Sequence, residues 1–179
     1  MNKKMILCCM ILSAFSLGTV FSQGVKEESE YNLTVSEKND TFGSTAAKEK
    51  ENLSLEDMLR YALEDERLAL AEYEYILNEF NVSRPFINII EAEKSHEQAL
   101  LNLYDSYDLV VEDFNGADHI ILPDTLLEIY NIGVEAEIAN IAMYDKFLSY
   151  ELPNDVRVVF ESLKNGSINH LAAFSKQIR

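Results

Sequence analysis

Residues 91–100, EAEKSHEQAL, decide how the fold is interpreted. They belong to a run whose apolar residues recur at helical spacing, yet Glu93 and His96 fall within the apolar stripe. A carboxylate and an imidazole on a buried face cost several kcal/mol unless a partner satisfies them. The stretch therefore predicts an amphipathic helix that carries a polar site into the protein core.

Three more amphipathic helices accompany this one, so the predicted fold class is all-α. The four helices are predicted over residues 55–80, 85–107, 125–150 and 155–177. Their first and third connections are short, which makes each successive pair an antiparallel hairpin. The second connection, 108–123, reaches roughly 53 Å when extended, against roughly 38 Å for a 25-residue helix, so it can return along the molecule. This favours a ferritin-like four-helix bundle of two hairpins joined by a long crossover. An up-down-up-down bundle is the alternative.

The N-terminal region is predicted to lie outside the folded domain. Residues 1–22 have a basic start, an apolar stretch and small residues at the end, as in a secretory signal peptide. An uncleaved membrane anchor is the alternative, because the apolar stretch is long. Residues 23–53 are polar and aperiodic, which predicts a flexible acidic linker. Residues 54–179 then form the bundle, and the protein is expected to be exported to the extracellular space, the periplasm or the cell envelope.

The chain is strongly acidic. Its net charge of −16 would fall by two, to −18, once the signal peptide and its two lysines are removed. Such a surface repels nucleic acids and anionic lipids. The expected partners are metal ions and a second copy of the chain, with membrane contact only through an uncleaved signal. Cys8 and Cys9 both lie in the signal, so the mature chain has no thiolate ligand.

The two hairpins resemble each other in sequence. EDERLALAEYEYIL, from residue 64, aligns without a gap with EAEIANIAMYDKFL, from residue 135. At this offset of 71, Glu66 matches Glu137 and Tyr73 matches Tyr144. The second helices of the hairpins align at an offset of 74. The domain is therefore predicted to contain two copies of one helical hairpin.

Each predicted helix places polar groups of ligand type on its apolar face. The inward residues are Glu66, Glu93, His96, Glu137 and His170. Carboxylates and imidazoles suit iron or manganese, and a bound ion would offset the cost of burying them. Bundles with two metals take one Glu from each of two helices and Glu-x-x-His from each of the other two. Here Glu93-x-x-His96 is complete, whereas Ser167 stands where the second motif needs Glu.

Several neighbours of these ligands have expected roles. Tyr73 and Tyr144 are first expected to pack in the core, and the alternative is that one of them also donates a hydrogen bond to a ligand carboxylate. Ser167 is expected to leave an open position for water or an oxidant. Glu93 and Glu137 are expected to bridge two metal ions. These assignments describe a site with one or two ions per chain.

Other polar residues give a weaker signal. The repeat matches Glu64 with Glu135, but both fall off the apolar stripes and are expected to be solvated. Asn140 and Asn169 are candidates for hydrogen bonds to the ligands, on spacing alone.

The domain resembles a bacterial and archaeal family, the domain of unknown function 2202, within the ferritin-like superfamily. The resemblance rests on the runs ALEDERLALAEYEYIL and GVEAEIANIAMYDKFL, on Arg84-Pro85-Phe86, on Glu93-x-x-His96 and on Ser167-x-Asn169-His170-Leu171. It spans nearly the whole domain. For the superfamily it implies a carboxylate-bridged metal pair that handles oxygen, peroxide or iron. Ser167 departs from the superfamily pattern.

Two functional hypotheses follow. The first is an exported ferritin-like metalloprotein that reacts with oxygen or peroxide or oxidises iron; as an enzyme it would be a di-iron-type oxidoreductase. The second is a non-enzymatic metal-binding or metal-free envelope module with a degenerate site. The chain has no rubredoxin-like cysteine site, so electrons would have to come from outside it.

Overall fold

The computed structural model describes residues 41–179, which form an all-helical structure. Within this range there are five α-helices, one short 3₁₀ helix and no strand. The α-helices are α1 (Gly43–Glu49), α2 (Leu55–Phe80), α3 (Phe86–Ser106), α4 (Leu126–Leu148) and α5 (Asn154–Ser175). The predicted signal peptide and most of the predicted linker lie outside the described residues.

The four predicted helices correspond to α2–α5, with ends within two residues of the prediction. α2 begins after Ser54, whose hydroxyl accepts from the Asp57 amide while the Asp57 carboxylate accepts from the Ser54 amide. This reciprocal cap satisfies two backbone donors that have no partner inside the helix. α2 ends at Asn81, which adopts the left-handed conformation common at helix ends, with φ of 50°. Thr125 caps α4 by accepting from the Glu128 amide.

α1 corrects the linker prediction, because its seven residues pack on α2 and α4. Two α2 carboxylates hold its start: the Gly43 amide donates to Glu64 over 2.9 Å, and the Ser44 amide donates to Asp65 over 2.8 Å. Lys146 of α4 donates to carbonyl groups at its other end. Acidic groups at the start of a helix and a cation at its end both favour helix formation. These partners are distant in sequence, so local composition did not reveal the helix.

Contacts between the long helices give their directions. Within each hairpin, early residues of one helix meet late residues of the other, so α2 and α3 are antiparallel, as are α4 and α5. Between α2 and α4, Tyr73 meets Glu137 and Tyr144 meets Glu66, which is again antiparallel. α3 and α4 therefore run in the same direction. Residues 107–125 must return along the molecule between them, in keeping with the predicted crossover.

Two apolar clusters lie on either side of a polar layer. The larger cluster contains, among others, Leu59, Leu100, Phe147 and Phe160. The smaller contains, among others, Ile76, Phe86, Ile129 and Phe174. Along each long helix, the predicted ligands fall between the residues of these two clusters. The apolar packing on both sides buries most of the polar layer, which strengthens electrostatic interactions within it.

The crossover is held against α2 by its 3₁₀ helix, Gly116–His119. A Cβ on Gly116 would lie 2.4 Å from the carbonyl oxygen of Arg67, so this close approach requires glycine. The His119 ring stacks on Phe114. Among the described helices, none is both long and apolar enough to cross a membrane.

Replacing Glu72 tests the electrostatics of α2. Burial and the nearby charge of Asp65 raise the pKa of Glu72 to about 7, from an ordinary value of 4.5. The folded state holds this proton more tightly than the unfolded state, so the contribution of Glu72 to stability declines as pH rises from about 4.5 through about 7. Glu72→Gln should leave the free energy of unfolding nearly unchanged at pH 4. At pH 8 it should raise that free energy by on the order of 1 kcal/mol, allowing for solvent screening.

Chemical denaturation of the parent and the variant at both pH values measures this difference. Glu79→Gln, on the exposed side of α2, is the matched control and should show no such dependence on pH. Equal stabilisation by both variants at pH 8 would show that the effect comes from lowering the overall negative charge of the protein, and not from the environment of Glu72.

Candidate metal centre

The predicted ligands come together in the polar layer. Glu66, Glu93 and His96 form one group, in which one ligand atom from each residue lies within 4.8 Å of the others. Glu93, Glu137 and His170 form a second group by the same measure. All five predicted ligands are thus brought together from the four long helices, and Glu93 belongs to both groups.

Glu93 lies between the two histidines. Its Oε2 is 2.9 Å from His96 Nδ1, and its Oε1 is 3.0 Å from His170 Nδ1. Glu66 Oε2 is 3.1 Å from the same His96 nitrogen, and Glu137 Oε1 is 3.5 Å from the same His170 nitrogen. Each half of the site therefore has one histidine, one carboxylate of its own and one oxygen of Glu93. Glu137 contacts the histidine of one half only, and its expected role as a second bridging group stays a prediction.

Two buried tyrosines connect the hairpins. Tyr73 OH donates to Glu137 over 3.1 Å, and Tyr144 OH donates to Glu66 over 2.6 Å. The predicted hydrogen bonds are present, but each tyrosine holds the carboxylate of the other hairpin. Such bonds fix the orientation of a ligand carboxylate before a metal binds.

Burial and neighbouring charges shift the three carboxyl groups differently. Burial and the charge of Glu93 raise the pKa of Glu66 well above its usual range. Burial also raises the pKa of Glu137, with His170 offsetting part of the effect. For Glu93, burial acts in the same direction, but the contacts with His170 and His96 outweigh it and hold its pKa below the usual range. Glu93 is therefore the carboxylate most strongly held in the ionised form.

The histidines carry the matching charge. Burial lowers the pKa of His96, but its hydrogen bonds with Glu66 and Glu93 outweigh burial and raise the pKa to about 10. Burial opposes the charge on His170 as well, and the adjacent Glu137 and Glu93 raise its pKa to about 9. Protons on the imidazoles thus balance the carboxylates. A cation that takes their place must displace these protons.

His170 Nδ1 is buried and makes no aligned hydrogen bond with any of residues 41–179. Its nearest polar atoms are oxygens of Glu93 and Glu137, at 3.0 and 3.5 Å, which pair with it by charge without an aligned hydrogen bond. A metal ion between these groups would bind the same nitrogen once its proton is lost. Carboxylate oxygens and imidazole nitrogens are also a donor set that iron and manganese accept. The residues present therefore fit a metal.

Gly166 makes room for His96, and the sequence analysis did not identify it. A Cβ at this position would lie 2.4 Å from His96 Cε1 and 2.6 Å from His96 Nε2. Glycine inside a helix costs about 1 kcal/mol relative to alanine, so its presence there signals a packing requirement. Its position in the middle of α5, directly before Ser167, was the available signal.

A hydrogen-bonded chain occupies the place where the second Glu-x-x-His motif lacks its carboxylate. Ser167 is buried, and its hydroxyl donates to Asn140 Oδ1 over 2.6 Å. Asn140 Nδ2 donates to Asp65 Oδ2 over 2.6 Å, and Asp65 Oδ1 accepts from the Ser44 amide of α1 over 2.8 Å. Asn140 was a candidate from spacing, whereas Asp65 was missed because its partner α1 was not foreseen.

A small cavity lies between this chain and the ligand carboxylates. Its volume is about 20 Å³, which is enough for one water-sized molecule. Its walls include Asp65, Glu66, Tyr73, Glu93, Glu137, Asn140 and Ser167. Beside Ser167 there is therefore a small space, bordered by Asn140 and the ligand carboxylates.

The other polar predictions have mixed outcomes. The prediction that Glu64 is solvated is wrong: it is buried and accepts hydrogen bonds from the Gly43 amide and from Arg60. The reason is that α1, which precedes the repeat, covers this part of α2. Glu135 is exposed, as predicted. Asn169 is exposed too, unlike the buried Ser167 and His170 beside it.

Comparison with known proteins agrees with the helical architecture. The chain is 25% identical over 130 residues to the uncharacterized protein MJ0754 of Methanocaldococcus jannaschii, covering 64% of this chain and 70% of that protein. The crystal structure of the hypothetical protein MJ0754 from Methanococcus jannaschii has a similar fold, with a TM-score of 0.62 at 24% identity over 72% of this chain and 83% of that chain. Residues 55–179 match the family model described as "Uncharacterized protein domain (DUF2202)". This match covers most of the chain, which therefore belongs to the DUF2202 family.

Proposed function

We propose that this protein is an exported, ferritin-like metalloprotein that binds iron or manganese and reacts with oxygen or peroxide, or oxidises iron. One observation carries the proposal. A single buried carboxylate, Glu93, lies between two histidines, and each histidine has a further carboxylate within 3.5 Å. The ferritin-like assignment draws support from the two repeated hairpins and from α3 and α4 running in the same direction.

The ligands divide into two half-sites. Glu66 and His96 would hold one ion, Glu137 and His170 would hold the other, and Glu93 would be shared. Three carboxylates leave a pair of divalent ions one negative charge short of neutrality. We therefore expect one or two ions per chain, with the second more weakly bound unless an anion accompanies it.

The chemistry divides between the metal and the chain. A bound pair of ferrous ions would supply two electrons, which with two protons reduce hydrogen peroxide to two molecules of water. The chain itself orients the carboxylates through Tyr73 and Tyr144 and keeps bulk water out through the two apolar clusters. Its only cysteines are Cys8 and Cys9, so an external donor must return the electrons.

Removing Glu93 and His96 together tests the location of the site. Glu93→Gln/His96→Gln should abolish most metal binding, because it takes away the shared carboxylate and one imidazole at nearly unchanged volume. Elemental analysis of protein purified without chelators, after loading with ferrous or manganous ions, gives the metal content. The matched control is Glu91→Gln/Ser95→Ala on the exposed side of the same helix. Full metal content in the Glu93/His96 variant would place the site elsewhere.

Gly166→Ala tests the packing of His96 without changing a ligand. The added Cβ cannot coexist with the observed ring position, so His96 must move away from Glu66 and Glu93. We expect metal affinity to fall at least about tenfold, as is typical when support for a ligand is lost. Asn165→Ala, at the exposed neighbouring position, is the control. Unchanged affinity in Gly166→Ala would show that His96 is dispensable.

The export proposal has its own test. Cleavage of the predicted signal should give a mature chain that begins at residue 23. Mass spectrometry of the protein recovered outside the cytoplasm measures the N-terminus. An intact N-terminus in that fraction would favour the anchor alternative.

A further inference from the structure

A half-open groove of about 370 Å³ runs along the outer side of α4, where α1 packs against it. The apolar part of the groove is formed by Ile138, Ala139, Ala142 and Met143. The other lining residues are Ser44, Lys48, Glu135 and Lys146. The Ile138 side chain is 53% exposed, although burial would stabilise it. The groove therefore combines an exposed apolar surface with charged groups.

The charged groups lie at opposite ends of the groove. Glu135 and Lys146 are eleven residues apart on α4, which separates them by roughly 16 Å along the helix axis. Lys48 lies at the Lys146 end, because the Lys146 ammonium group donates to the Lys48 carbonyl over 3.4 Å. That ammonium group is held at the end of α1, whereas the Lys48 side chain is exposed. The groove thus has a negative end and a positive end, with its apolar residues between them.

This order of charges and apolar residues is self-complementary. Three pairs of lining residues on α4 lie equally far from the midpoint between residues 140 and 141: Glu135 and Lys146, Ile138 and Met143, and Ala139 and Ala142. A two-fold axis at this midpoint would place two α4 helices side by side in opposite directions. The apolar parts would then pack on each other, and each Glu135 would meet the Lys48 end of the other copy.

From this pattern we infer that the groove between α1 and α4 binds a second copy of the chain in a two-fold dimer, whether or not a metal is bound. A single-chain lipid with an anionic head group could use the lysine end, but its tail would then lie against Glu135. A second copy matches both ends. Each chain carries a net charge of −16, so the dimer is expected to be weak and to form best at physiological salt, where charges more than about 8 Å apart are largely screened.

Reversing the two charges tests the pairing. The protein is purified in the form that its own cell produces, and sedimentation velocity at physiological salt gives the dissociation constant of the dimer. Glu135→Lys and Lys48→Glu should each weaken the dimer at least about tenfold, because each creates two contacts between like charges. The double variant Glu135→Lys/Lys48→Glu restores opposite charges at the parent's net charge. Its dissociation constant should return to within about threefold of the parent value.

Glu91→Lys is the matched control, because it makes the same change of net charge at an exposed position of α3, which packs on α2 and α5. It should not weaken the dimer. A parent that stays monomeric at several hundred micromolar, single variants that dimerise as well as the parent, or a double variant as weak as the single ones would each overturn the inference. An anionic lipid bound to a monomeric parent in native mass spectrometry would also overturn it. These readouts do not depend on metal content, so they stand apart from the test of the proposed function.

Discussion

The contact of one buried carboxylate with two imidazoles is the interaction on which the rest of the structure depends. Glu93 on α3 faces His96 on its own helix and His170 on α5, at 2.9 and 3.0 Å. Breaking a buried ion pair by removing one partner typically costs about 3–5 kcal/mol, because the other charge stays buried. Two imidazoles depend on this one group. The α3–α5 contact is therefore held by charge in the middle and by apolar packing on either side.

Two crossed hydrogen bonds join the other two long helices, α2 and α4, to each other. Tyr73 on α2 holds the carboxylate of α4, and Tyr144 on α4 holds the carboxylate of α2. Neither hairpin can arrange its own glutamate without the other hairpin. A hairpin on its own would leave a buried tyrosine hydroxyl and a buried carboxylate unsatisfied, which is costly. The two hairpins therefore form one site, to which the first contributes Glu66, Glu93 and His96 and the second contributes Glu137 and His170.

Much of the fold and the convergence of the five inward polar residues could be predicted from the sequence, because the two hairpins repeat. Helical periodicity gave the four long helices, and the offset between the hairpins showed that inward polar residues recur at matched positions. The unpredicted parts depend on contacts between distant residues. α1 is held by Glu64 and Asp65 of α2 and by Lys146 of α4, none of which follows from its own composition. Glu64 is buried only because α1 covers it.

The sequence also could not show which carboxylate each tyrosine contacts. The repeat matched Tyr73 with Tyr144 and Glu66 with Glu137, but spacing along one helix cannot show that the hydrogen bonds between them cross from one hairpin to the other. For the same reason only the assembled helices show that Glu137 contacts His170 and Tyr73. Gly166 shows the opposite case. A helix-weakening residue at a central position was visible in the sequence, but only the ring of His96 explains it.

The two repeated hairpins differ around Ser167. Ser167 stands opposite Glu93 in the repeat, and its partners Asn140 and Asp65 stand opposite Ala69 and Ala136. Both alanines line the same cavity as the three polar residues. The first hairpin thus supplies the carboxylate between the histidines, Glu93. At the matching position of the second hairpin, Ser167 instead donates a hydrogen bond to Asn140, which in turn donates to Asp65. On the imidazole side, the His96 ring packs directly against α5 and leaves no room for even a methyl group on Gly166. The space of about 20 Å³ on the carboxylate side is bordered by these three residues and by Glu66, Glu93 and Glu137, so the difference between the hairpins falls directly beside the candidate ligands.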